Sequence, residues 1–118
     1  MATVDINGFG HNESVTVTGA KSLVVADQGL AQNVTASAVV TLPAAAAGQS
    51  FVMRVGKEGI TAELRPAGSD TMTGNAFTPS AAKGAVFTNQ PAGSYIQVVS
   101  GATTWHIQRL LGTATRTA

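Results

Sequence analysis

Two stretches decide the fold: Ser50-Phe51-Val52-Met53-Arg54-Val55 and Ser94-Tyr95-Ile96-Gln97-Val98-Val99. In the first, Phe51, Met53 and Val55 recur at every second position while Arg54 points the other way, a period that suits a pleated strand with one buried face. The second places Ile96 and Val98 together, opposite Tyr95 and Gln97. Downstream, Trp105 and Ile107 share a face opposite His106 and Gln108. Working outward, Gly, Pro and Asn interrupt the chain every eight to twelve residues, and the intervening segments favour Val, Ile, Thr and aromatics. This rhythm predicts strands over 13–17, 22–25, 33–42 (with room for a break), 50–55, 60–65, 85–89, 94–99 and 104–110. Pro43 cannot donate to a ladder and ends the strand before it.

The expected architecture is an all-β fold: a single small antiparallel β sandwich or barrel-like domain with an extended N-terminal arm. The arm comprises residues 1–20, the β domain 21–112 and a flexible C-terminal tail 113–118, which offers almost nothing to bury. Ala44-Ala45-Ala46-Ala47 is too short for a stable helix and reads as a turn or single helical turn. Between Pro66 and Ala85 an irregular connection is expected, anchored to the core by Met72 and Phe77.

The chain has 118 residues, enough for one modest core. Seven Lys and Arg against six Asp and Glu leave a net charge of +1, and charged residues are 11% of the chain, about half the usual share. Lys21, Arg54, Lys57, Arg65, Lys83, Arg109 and Arg116 are spread singly, without the clustering that phosphate binding uses, so nucleic acid is not an expected partner. The polar surface must consist largely of Thr, Ser, Asn and Gln, which costs little to cover with protein because charge is depleted at interface cores. The absence of cysteine excludes disulfides, thiolate metal sites and Cys nucleophiles.

The start, Met1-Ala2-Thr3-Val4-Asp5, has neither the basic segment nor the apolar run of a secretory signal, and no stretch approaches the length of a membrane span. Synthesis in the cytoplasm without export is therefore expected. Asn12-Glu13-Ser14 and Asn33-Val34-Thr35 then carry no glycosylation.

Catalysis needs converging groups, but Asp5, Glu13, Asp27, Glu58, Glu63 and Asp70 form no recognisable pair, so no enzyme activity and no catalytic residue are expected. His11 and His106 are too few and too far apart for a metal site, and no metal or cofactor is expected. Gly8-Phe9-Gly10 lacks the third glycine and the strand-to-helix context of a phosphate loop and reads as a joint. Trp105 and Tyr95 have the chemistry to stack on a sugar, although a lone Trp on an alternating strand is more often core.

From Val39 to Gln108 the order of features resembles a short β domain recurrent in tailed-phage virion proteins. The resemblance rests on Thr41-Leu42-Pro43-Ala44-Ala45-Ala46-Ala47-Gly48-Gln49-Ser50-Phe51, on Ile60 to Met72 with its Pro66-Ala67-Gly68 corner, and on Ile96 to Ile107. In the last piece Ser100-Gly101-Ala102-Thr103 stands where such domains usually have Ser-Asp-Gly-Thr, and Glu63 and Arg65 interrupt a run that is often apolar. The same module serves as fibre knob, spacer and decoration. A 118-residue chain with its own methionine is more naturally a free-standing decoration than a piece of a fibre. The resemblance then implies a capsid decoration (cement) protein on the virion surface, a homotrimer bridging subunits of the major capsid protein, with Val4, Ile6 and Phe9 as the contacts of the arm. The alternative is a tail or head fibre or spike component that binds a host-surface carbohydrate.

Overall fold

The computed structural model describes residues 13–118. These form eleven strands: β1 (Glu13–Val17), β2 (Lys21–Ser22), β3 (Leu30–Val34), β4 (Ala38–Thr41), β5 (Ser50–Val55), β6 (Thr61–Arg65), β7 (Thr71–Thr73), β8 (Ala85–Thr88), β9 (Tyr95–Ser100), β10 (Thr104–Leu111) and β11 (Thr115–Arg116). A six-stranded sheet runs β1-β3-β5-β9-β10-β7, and a five-stranded sheet runs β11-β8-β6-β4-β2. The all-β, two-sheet expectation holds, but both sheets are mixed rather than antiparallel.

The parallel pairs arise from the path of the first six strands, which alternate between the sheets. Each pairs in parallel with the strand two before it: Glu13 lies opposite Leu30, Lys21 opposite Val40, Ala31 opposite Val52 and Ala38 opposite Ala62. A parallel ladder needs a long connection between its strands, and here the intervening strand in the facing sheet provides it. This half of the molecule is thus a short coil of three turns. The remainder is largely antiparallel: β9 pairs with β5 and β10, β8 pairs with β6 and β11, and β7 adds in parallel to β10.

The core lies between the sheets. Val17, Val34, Phe51, Met53, Val55, Ile96, Val98 and Trp105 face inward from the first, and Leu23, Val40, Leu42, Ala62, Leu64, Ala85 and Phe87 from the second. Phe51 and Trp105 meet edge to face, with ring centres 5.6 Å apart and planes at 66°, a geometry that sets the positive ring edge against a negative face. The alternation read from the sequence is the alternation found. Val52 is also buried, although it faces outward, with Ala31 and Gln97 flanking it on the adjoining strands.

Several local expectations change. The strand predicted over 22–25 is confined to Lys21–Ser22, and the chain then turns into a 3₁₀ turn, Val25–Asp27. Asp27 Oδ2 accepts the Val24 amide at 2.8 Å and so satisfies a donor at the start of that turn. Of the two forms allowed for the four alanines the turn is found, at Ala47 and Gly48, and the helical turn is not; Ala45 donates its amide to Asp70 Oδ2 at 2.8 Å. The connection after Pro66 contains β7, from which Met72 enters the core, while Phe77 packs against it half-buried. The tail expected to be flexible over 113–118 is instead packed: Thr115 and Arg116 pair with Val86 and Ala85, and Ala114 and Thr117 are buried. Its ordering comes from the edge of β8 rather than from its own apolar content. Of the expected arm, residues 13–17 form the edge strand β1; Val4, Ile6 and Phe9 lie outside the described residues.

Candidate functional site

Three carboxylates, Asp27, Glu63 and Asp70, are engaged in holding the fold. Asp27 caps the 3₁₀ turn and lies 3.9 Å from Lys21 Nζ. Asp70 pins Ala45. Glu63 is buried beneath the C-terminal strand, where its Oε2 accepts Arg65 Nε at 2.7 Å and the Thr117 hydroxyl at 2.8 Å. That hydroxyl accepts the Gly84 amide at 3.0 Å. The Glu63 carboxylate, by accepting from Arg65, holds the guanidinium pKa above its ordinary value, with desolvation opposing. In the sequence Glu63 is one of six acids without a recognisable pair and an interruption of an apolar run; an Arg two positions on, and so on the same strand face, is the signal of an ion pair there.

Among the described residues no three His, Cys, Asp or Glu side chains gather as metal ligands would. His106 stands exposed on β10, its Nδ1 3.0 Å from the Thr73 hydroxyl on the adjacent strand. Beside it, the Thr71 and Thr104 hydroxyls lie 3.2 Å apart. The two residues considered for sugar stacking separate in the fold. Trp105 is fully buried against Phe51, so its face is closed to any ligand. Tyr95 lies half-buried on the outer face of β9, with Arg54 and Leu111 opposite it on the flanking strands.

An open apolar groove of about 360 Å³ runs between the Pro91-Ala92-Gly93 turn and the end of β10. Leu111 forms one wall and is 55% exposed. The walls are tied in place: Gln90 Oε1 accepts the Thr113 amide, Ser94 Oγ donates to the Pro91 carbonyl, and Gly93 donates its amide to the Val55 carbonyl. The groove contains no ionisable side chain. Elsewhere the molecule presents strand edges at β1, β2, β7 and β11, each paired on one side only among the described residues.

The fold and these surfaces define a small all-β protein of two mixed sheets, rich in uncharged polar surface. No protein-family model matches the chain, and no curated protein is significantly similar to it in sequence. No helix of the described residues is long and apolar enough to cross a membrane.

Proposed function

We propose that the chain is a structural virion protein of a tailed bacteriophage, a capsid decoration protein that stabilises the shell by bridging neighbouring capsid subunits. The observation that carries this reading is surface chemistry: a two-sheet β domain whose exterior is mostly uncharged and in which Asp27, Glu63 and Asp70 are occupied in holding its own chain. Uncharged polar surface is desolvated at low cost, so contact with copies of the chain and with a capsid is favoured over life as an isolated charged globule. The resemblance of residues 39–108 to virion β domains supplies the setting. No bond is made or broken in this role. Contacts that repeat by symmetry and link neighbouring sites let each copy contribute only about a few kcal/mol and still stiffen a shell. Burial of Trp105 removes the aromatic pair on which carbohydrate recognition was to rest.

Two measurements test the proposal. Light scattering on the purified protein is expected to give a closed oligomer, a trimer being the expected form, and a strict monomer at high concentration counts against it. Immunogold labelling of particles from the lysate that contains the chain is expected to decorate the shell; label on tails alone, or on no particle, overturns the assignment.

A further inference from the structure

A strand at the edge of a sheet turns the amide and carbonyl of alternate residues away from its neighbour, and an accounting of these groups separates the edges. On β1, the Val17 carbonyl accepts the amide of Thr35, just past β3. Glu13, Val15 and Val17 therefore face β3, while Ser14 and Thr16 direct both backbone groups to the free side. Leu23 at the end of β2 donates to Thr41, Thr71 on β7 donates to Thr103, and Thr117 at the end of β11 donates to Gly84. By the same alternation only Ser22, Met72 and Arg116 are turned outward within those strands. Among the described residues β1 is thus the edge with two residues ready to bond to a further strand.

This edge is also undefended. Edge strands are commonly protected by lysine, proline or a bulge, and Glu13-Ser14-Val15-Thr16-Val17 has none of these; its one charge, Glu13, stands at the first position. Ser14 and Thr16 are exposed, and Val15 on the core side is only half-buried. What fits there follows from the symmetry of the strand. In an antiparallel pair, hydrogen-bonded residues exchange both bonds, and the residues between them come closer, with Cα atoms about 4.5 Å apart. With β1 of a second copy laid antiparallel and Val15 opposite Val15, each Ser14 faces a Thr16, and every free backbone group within the strand is used. A slip of two residues either way sets Ser14 on Ser14 or Thr16 on Thr16 and moves the other partner outside the strand. The centred register places Val on Val and hydroxyl on hydroxyl, both favourable across strands, with no like charges opposite.

We propose that two copies of the chain pair antiparallel through β1, about a two-fold axis at Val15, so that their six-stranded sheets run on as one. A second copy fits better than a foreign strand because the edge is self-complementary: its free bonds, its hydroxyls and its central valine meet their own kind across the axis, and Glu13 falls opposite Val17 rather than opposite itself. The contact is isologous and separate from any contact that closes a trimer. The inference thus goes beyond the assembly reading; where both contacts form, the pairing joins one trimer to the next.

The protein has no cysteine, so single substitutions report the axis cleanly. In the full chain, V15C sets two thiols across the closest pair, whereas S14C sets them out of register and more than about 7 Å apart at Cα, the limit for a disulfide. On mild oxidation V15C is expected to form covalent dimers at least about tenfold faster than S14C. Equal rates, or no dimer from V15C, overturn the proposal. Light scattering is the second arm. The parent is expected to contain an even number of copies, and S14K/T16K to halve its mass while the near-ultraviolet signal of Trp105 is retained. Mixing S14K/T16K with S14E/T16E is expected to restore the mass, since lysine then faces glutamate across the axis. A parent trimer that S14K/T16K leaves unchanged overturns the pairing and leaves the assembly reading standing; a monomeric parent overturns both. Hydrogen exchange names the occupant. The Ser14 and Thr16 amides are expected to be protected in the pair and to lose protection on dilution, and protection that persists in the monomer refutes a second copy.

Discussion

Glu63 shows how one side chain ties separate elements together. Its carboxylate joins Arg65 on its own strand to Thr117 on the last residues of the chain. Hydrogen bonds to a charged, largely buried group contribute about 1.5–3 kcal/mol each when a partner is lost. Glu63→Ala is therefore expected to lower stability by about 2 kcal/mol in urea unfolding and to make residues 113–118 the first segment cut by a nonspecific protease. The charge on Arg65 adds no pH dependence in the ordinary range. Its folded pKa is raised, so its contribution is complete below the ordinary arginine value and is lost only as pH climbs through the folded value in strong alkali. Trp105 is a second test at this scale. Its Nε1 is buried without a partner, so Trp105→Phe removes an unsatisfied donor along with some packing. Melting curves are expected to place Trp105→Phe within about 1.5 kcal/mol of the parent, against about 3–5 kcal/mol for Trp105→Ala.

At the scale of elements, the close approach of β6 and the turn into β8 depends on Gly84, where an added Cβ would meet the Leu64 carbonyl oxygen at 1.9 Å. Backbone on both sides leaves nothing flexible to yield. Gly84→Ala is expected to cost at least about 1–3 kcal/mol and to loosen β11 as well, since the Gly84 amide and carbonyl both bond to Thr117; amide exchange at Thr117 reads this directly. β11 has a further role as the cover of β8. Truncation after Gly112 bares an unpaired edge and the Glu63 carboxylate, and exposed edges pair with other chains. Concentration-dependent association in sedimentation velocity is the expected result, and an unchanged sedimentation coefficient would show that the edge is blunted by something else. These two features explain why the tail was not legible. Thr113, Ala114, Thr115, Arg116 and Thr117 carry no hydrophobic pattern, and their order is supplied by a ladder and a carboxylate elsewhere in the chain.

For the whole molecule, the two sheets share one core, so unfolding should be a single cooperative event. Trp105 reports the core and the far-ultraviolet signal reports the strands; coincident transitions are expected, and a split would show that the coil and the antiparallel half unfold separately. The radius of gyration of 12.8 Å is close to the ~13 Å of a compact 100-residue domain. It leaves no room for two independent cores.

The sequence by itself determined the local character of the longer strands: where β5, β6, β8, β9 and β10 lie, which face of β5, β9 and β10 is apolar, and that Phe51, Met53, Ile96, Val98 and Trp105 belong to the interior. Period-two alternation is a property of neighbouring residues and survives without knowledge of partners. It also determined the low charge on which the proposed assembly role rests. Only the tertiary structure decided that the first six strands alternate between sheets and pair in parallel, that Glu63 is a latch rather than an interruption, and that the last residues form a strand. Pairing direction and burial of a polar group depend on what lies opposite, often dozens of residues away, and the same alternation serves a parallel and an antiparallel neighbour equally well.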